Sequence, residues 1–273
     1  MKQRSLASSF SISGLGLHRG TRSIVTGHPL PVDSGIVFST PTTDPIALHP
    51  NLLCHDTLCT GLQIDHLRLL TVEHLLAAVV GAGLDNIHLQ VTGEEIPILD
   101  GSANPWLEAF HQAGIVEQPA PRRFLSIPTT FSLRDGKSTV TVHPCDSLKV
   151  EVSIDFPHPK IGKMSCLYSH STEAFLSISS ARTFGFVEDR HHLHAAGYAL
   201  GASEENCLLF TKTDIYPSQQ LRDPKEPLLH KVLDFLGDLA VINQAPCGHF
   251  ILHRPNHSLN QRVVKLLAFP KIG

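Results

Sequence analysis

Over residues 1–50 the apolar positions come in short segments, FSISGLGLHRG, SGIVFST and DPIALHP, each broken by Gly, Pro, Ser or Thr. That spacing predicts short strands joined by turns. The pattern changes at Leu75–Leu84, ten consecutive residues with no charged or hydrogen-bonding side chain. A helix is expected from about Val72 to Val80, with Thr71 as its N-cap and Gly81 and Gly83 ending it. Alternation returns in NIHLQVTG, where Ile87, Leu89 and Val91 share one face of a strand. NPWLEAFHQAG (104–114) reads as a helix with Pro105 in its first turn and a glycine stop. EQPAPRRF (117–124), with two prolines, several charges and little to bury, reads as a linker. Beyond it come strand-like FLSIPTTFSL, STVTVHP and LKVEVSIDF, an apolar helix over about 227–242 and a further helix after His257. Each half thus runs from strands to helices. The expected fold class is α+β, in two similar domains, 1–118 and 124–273.

Two of these helices carry polar groups where a dry interior is expected. The first opens on Glu73 and His74. In EPLLHKVLDFLGDLAVI (226–242), His230, Asp234 and Asp238 stand at i, i+4 and i+8 and share a face. Val232, Leu233, Phe235, Leu236, Leu239, Val241 and Ile242 cover most of the remaining circumference. A helix apolar nearly all round belongs inside the protein, and polar groups buried with it must be bonded to something. One His-x-x-x-Asp alone is ordinarily a self-satisfied pair, and a glutamate in a first turn simply suits the helix dipole.

Two such helices in one chain shift that balance. His74, His230 and Asp234 make a two-histidine, one-carboxylate set suited to a catalytic zinc with one position left for water. Spacing alone does not choose zinc over other divalent metals. Glu73 points about 100° round the helix from His74, so it can lie beside that water as a general base rather than bind metal. His257, in RPNHSLNQ, is a general-acid candidate. Asp238, one turn beyond Asp234, is placed to hold a partner imidazole in its charged form.

Composition narrows the setting. At 273 residues and 42% hydrophobic content the chain can bury a real core. A net charge of −3 without a long Lys/Arg run argues against nucleic acid as the main partner. The six cysteines show no Cys-x-x-Cys pair and read as free thiols in a reducing compartment. The N-terminus lacks an uninterrupted apolar core of the signal-peptide kind, and the longest apolar run is too short to span a bilayer. A soluble cytoplasmic protein is expected. With no coiled coil or interface stripe visible, it is taken as a monomer.

TVEHLLAA, GLDN, EIPILDGSANPW, SARTFGF, LLHKVLDFLGDL and NHSLN occur in that order. Together they strongly resemble the UDP-3-O-acyl-N-acetylglucosamine deacetylases of lipid A biosynthesis, from GLGLHRG (14–20) to the last helix. The resemblance implies a zinc amidase of two α+β domains whose helices face one another around the active site. Its substrate would be an acylated UDP-amino sugar, and its reaction the committed step of that pathway. It puts the Zn2+ ligands on His74, His230 and Asp234, the general base on Glu73, and the acid or electrostatic stabiliser on His257 with Asp238 orienting it. It also implies Thr183 as oxyanion donor, Phe184 as a wall of the sugar site and Lys231 near the nucleotide-sugar. His18 and Cys59 fall in motifs close to the site without an implied chemical role. Three features depart from the family: Asn256 stands where Gly is common, Leu229 where Arg is frequent. The third is Glu204 and Glu205 in GASEENCLLF (201–210), where the family builds part of an acyl-chain passage. A silent nucleotide-sugar or lipid-binding protein on this fold, and a zinc amidase for another acylated amine, are the alternative readings.

Overall fold

The computed structural model describes residues 1–54, 56 and 58–269. Its helices are α1 (Glu73–Gly81), α2 (Asn104–Ala113), α3 (Thr172–Leu176), α4 (Arg190–Ala195), α5 (Glu226–Leu239) and α6 (His257–Ala268). Strands from the first half of the chain form a five-stranded sheet in the order Phe10–Leu15, Arg22–Pro29, Ile87–Thr92, Ile36–Ser39, Ile46–Ala47. Strands from the second half form a six-stranded sheet in the order Phe131–Asp135, Ser138–His143, Ala245–His253, Leu148–Asp155, Lys163–Ser169, with Phe124–Ser126 paired to Ala245–His253 off that path. The expected α+β class is therefore what the chain adopts.

The alternation in NIHLQVTG behaves as its period requires: Ile87, Leu89 and Val91 are fully buried while His88 and Gln90 are only partly so. FLSIPTTFSL is not one strand but two. Phe124–Ser126 runs parallel to Ala245–His253, and Phe131–Asp135 pairs with Ser138–His143. Pro128 lies in the break, where it removes a ladder donor.

Most of the stretch read as a linker is also strand. Ile115–Pro121 pairs antiparallel with Lys2–Leu6, and a register shift between Lys2 and Arg4 takes up residues 118–120. Pro119 falls in that irregularity, where a missing N–H costs no ladder bond.

The helices meet in the middle. α1 packs along α5, and α6 also packs on α5. α5 lies over Leu148–Asp155, with Phe235 5.2 Å from Phe250 between ring centroids. α1 has every residue buried except Val80, as its unbroken apolar run demands. A Cβ on Gly81 would collide with the Phe175 ring of α3, so the glycine that ends α1 also seats that ring.

The start of α1 differs from expectation. Thr71 is not its cap. Thr71 is in the left-handed region at φ 59°, and its hydroxyl donates to Glu95 Oε1 at 2.7 Å. Val72 takes the cap position without a side-chain bond.

Candidate metal centre and acid–base pair

α5 rests on α1 through Gly237. A Cβ at that position would run into the Glu73 carbonyl group, whose carbon lies 2.6 Å away. Only glycine permits this approach, and it brings the first turn of α1 against the polar stripe of α5. His74, His230 and Asp234 converge there, their candidate ligand atoms all within 4.8 Å of one another. Asp234 Oδ1 lies 3.1 Å from His230 Nε2 and 3.7 Å from His74 Nε2. The two imidazoles stand perpendicular, at 89°.

The bonding around this cluster suits a cation. The His230 Nδ1–H donates to the Ala181 carbonyl at 3.0 Å, which leaves the Nε2 lone pair facing the cluster. Among the described residues, Asp234 Oδ1 is buried without a hydrogen-bond partner. Such an atom is costly unless a positive group meets it. Burial works to raise the Asp234 carboxyl, but His230 and Lys231 beside it hold it well below the usual range. Burial lowers His74, favouring the neutral ring that a metal requires. A nitrogen, nitrogen, oxygen donor set in a shielded site is the type that holds catalytic zinc.

Glu73 and His257 occupy one side of this cluster. His257 Nε2 is 3.8 Å from Glu73 Oε1 and 4.0 Å from Asp234 Oδ2. Burial, aided by the charges of Asp238 and Asp234, pushes Glu73 up to about 8, although His257 opposes the shift. For His257 burial acts downward, but Asp238, Glu73 and Asp234 outweigh it and raise the imidazole to about 10. Its Nδ1–H donates to Asp238 Oδ2 at 2.9 Å, so Nε2 points at the cluster. Asp238 also accepts from Asn260 Nδ2 at 2.8 Å and from the Thr60 hydroxyl in a short bond.

Other residues singled out from sequence are nearby in varied roles. Lys231 donates to Asp234 Oδ2 at 2.8 Å and lies 5.5 Å over the Phe184 ring. Phe184 is in turn edge-on to His230, 6.3 Å between centroids. Thr183 is half-buried, two residues from the carbonyl that holds His230, and its backbone N–H donates to Gly101. The His18 backbone N–H donates to Glu95 Oε1, and Cys59 is fully buried.

Asn256 needs no left-handed backbone. It is extended at φ −144°, and its side chain caps α6 by accepting from the Leu259 N–H. Leu229 packs against the core. Glu204 and Glu205 are exposed, and Glu204 accepts from the Ser218 hydroxyl, so neither lines an apolar interior.

Sequence reasoning missed three groups that hold the site. Thr60 bonds both Glu73 and Asp238. Glu95, fully buried, receives the N–H groups of His18 and Arg19 and the Thr71 hydroxyl. Glu226 extends the α5 stripe by one turn and forms a buried pair with Arg182, Nε to Oε1 at 2.8 Å. Only the last had a visible signal, since Glu226 stands four residues before His230.

A cavity of about 770 Å³ lies apart from this chemistry, among Arg4, Leu84, Arg122, Leu148, Leu236 and Cys247. None of the cluster residues borders it.

The model of the UDP-3-O-acyl N-acetylglycosamine deacetylase family matches residues 3–268. The chain is 39% identical over 272 residues to the UDP-3-O-acyl-N-acetylglucosamine deacetylase of Nitratidesulfovibrio vulgaris, covering 98% of this chain and 88% of that one. The enzyme of the same name from Hahella chejuensis is 37% identical over 277 residues, 99% of this chain and 92% of that one. The one from Xanthomonas oryzae pv. oryzae is 36% identical over 272 residues, 97% and 90%. With the match running through every element that builds the His74–His230–Asp234 cluster, the chain belongs to the UDP-3-O-acyl N-acetylglycosamine deacetylase family.

Proposed function

We propose that this protein is a zinc-dependent amidase that hydrolyses the 2-acetamido group of UDP-3-O-acyl-N-acetylglucosamine, giving acetate and the free amine. The observation that carries the reading is the orphaned Asp234 oxygen facing two histidine Nε2 atoms, with Glu73 and His257 at its edge. His74, His230 and Asp234 would hold the metal. Bound there, zinc would polarise the amide carbonyl and make water a stronger acid.

This chain's residues supply the proton handling. Burial makes Glu73 a stronger base than an ordinary carboxylate, which suits it to take a proton from attacking water. Its Oε2 is fixed by the Thr60 N–H at 3.0 Å, so Oε1 is the oxygen left to act. His257, kept charged by Asp238, faces the same space through Nε2 and can deliver a proton to the departing amine or offset the oxyanion. Thr183 offers its hydroxyl to that oxyanion. Phe184 walls the sugar. Lys231 presents charge toward the diphosphate while remaining bonded to Asp234.

The residues of the centre all come from one chain, so a monomer suffices. Two domains, 1–118 and 124–273, are supported by the first large sheet drawing its strands from before residue 93 and the second drawing its strands from residue 124 onward. The free cysteines suit the reducing cytoplasm. No helix of the described residues is long and apolar enough to cross a membrane.

The test joins metal analysis of the purified protein to an acetate-release assay on the acylated nucleotide sugar, with free N-acetylglucosamine as control. Zinc-loaded protein that releases no acetate from the acylated sugar sinks the reading. Glu73→Gln should keep its zinc while kcat falls by roughly 10²–10⁴-fold. Near-normal turnover by that variant removes Glu73 as the base.

A further inference from the structure

We infer that Thr60 is a positioning residue that holds the acid and the base of the proposed reaction apart, an inference that rests on the function proposed above. Thr60 is fully buried just before the strand Gly61–Ile64. Its backbone N–H donates to Glu73 Oε2 at 3.0 Å. Its hydroxyl donates to Asp238 Oδ1, and Gln261 Nε2 donates into that same hydroxyl at 3.2 Å. A hydroxyl has a single proton, and with Gln261 occupying one lone pair that proton is directed at Asp238.

The geometry explains why such a tether is needed. Glu73 Oε1 and His257 Nε2 are 3.8 Å apart in a site shielded from water. Left free, the two side chains could close to hydrogen-bonding distance and bond to one another instead of to the reacting groups. Glu73 is restrained by the Thr60 N–H. His257 is restrained through Asp238, which Thr60 grips from the side opposite Asn260, on Oδ1 rather than Oδ2. One residue thus anchors the base directly and the acid through Asp238.

The decisive comparison is Thr60→Val, which keeps the shape and removes the hydroxyl, against Thr60→Ser, which keeps the hydroxyl. Both are measured as zinc-loaded enzymes for kcat, KM, metal content and melting temperature. In addition, the downfield proton resonance of His257 Nδ1–H, identified by its loss in His257→Ala, is recorded in each. Thr60→Val should lower kcat roughly 10–100-fold with KM and zinc content unchanged, the usual range for a group that orients an active residue. It should also move the His257 resonance. Thr60→Ser should retain most of the turnover and leave the resonance in place.

A Thr60→Val enzyme with wild-type kcat, or with the resonance unmoved, overturns the inference. So does equal loss in both variants together with lost zinc or a lowered melting temperature, which would make Thr60 a packing residue. If the unaltered protein releases no acetate at all, the proposed reaction fails, and the resonance comparison still decides the role of Thr60.

Discussion

Replacing Gly237 by alanine adds one methyl group where α5 rests on α1. Helix propensity alone would make the change favourable by about 1 kcal/mol, since glycine is a poor interior helix residue. The structure reverses the sign. The new carbon would sit 2.6 Å from the Glu73 carbonyl carbon and 2.9 Å from its Cα, and closer still to the oxygen. Ordinary carbon contacts are about 3.5–4.0 Å, so the helices must separate by roughly 1 Å. The atoms in the way are backbone, and no rotamer change relieves them. The cost belongs at the upper end of overpacking, about 3 kcal/mol. Set against the propensity gain, the net loss is about 2 kcal/mol. At about 2–4 °C per kcal/mol for a chain of this size, the melting temperature of metal-free protein should fall by roughly 4–8 °C.

The same displacement reaches the chemistry, because His74 rides on α1 while His230 and Asp234 ride on α5. Misplacement by about 1 Å can cost 10²-fold in rate. Calorimetry would read the stability, and competition with a chromogenic chelator would read zinc affinity. A Gly237→Ala protein that melts at or above the wild-type temperature and holds zinc as tightly would refute the close-approach argument.

Two further outcomes follow from the buried charges. Arg182→Met leaves Glu226, fully buried, without its partner and should cost about 3–5 kcal/mol in urea unfolding, with Arg182→Met/Glu226→Leu recovering much of it. A loss below about 1 kcal/mol, the range of an exposed pair, would contradict that picture. In metal-free protein His257 is raised from 6.5 to about 10, so the folded state binds its proton more tightly than the unfolded chain. That contribution is complete below pH 6.5 and is lost as pH rises toward about 10. Unfolding free energy should therefore decline across that window, more steeply than in His257→Gln; equal slopes would count against a charged His257.

The elements of this protein were largely legible because side-chain direction in a helix or strand is a local property. The apolar run of 75–84, the alternation at Ile87, Leu89 and Val91, and the stripe on α5 each follow from a repeat of 3.6 or 2 residues. Local signals failed where a distant partner competed. Thr71 looks like a cap until Glu95, 24 residues on, takes its hydroxyl. EQPAPRRF looks like a linker until Lys2–Leu6 offers it a strand to pair with.

Candidate chemistry divides along the same line. Glu73, His74, His230, Asp234 and Asp238 could be named because each is a polar group on a helix otherwise apolar, and burying such groups without partners is costly. Which of their atoms meet is another matter. Thr60 reaches Asp238 across 178 residues and Gln261 across 201, and Gly237 matters only because the Glu73 backbone lies against it. Periodicity determined which faces would be buried. Only the packing of α1 on α5 decided that two half-sites far apart in the chain would share one cluster, because contact between helices depends on shapes that no local repeat encodes.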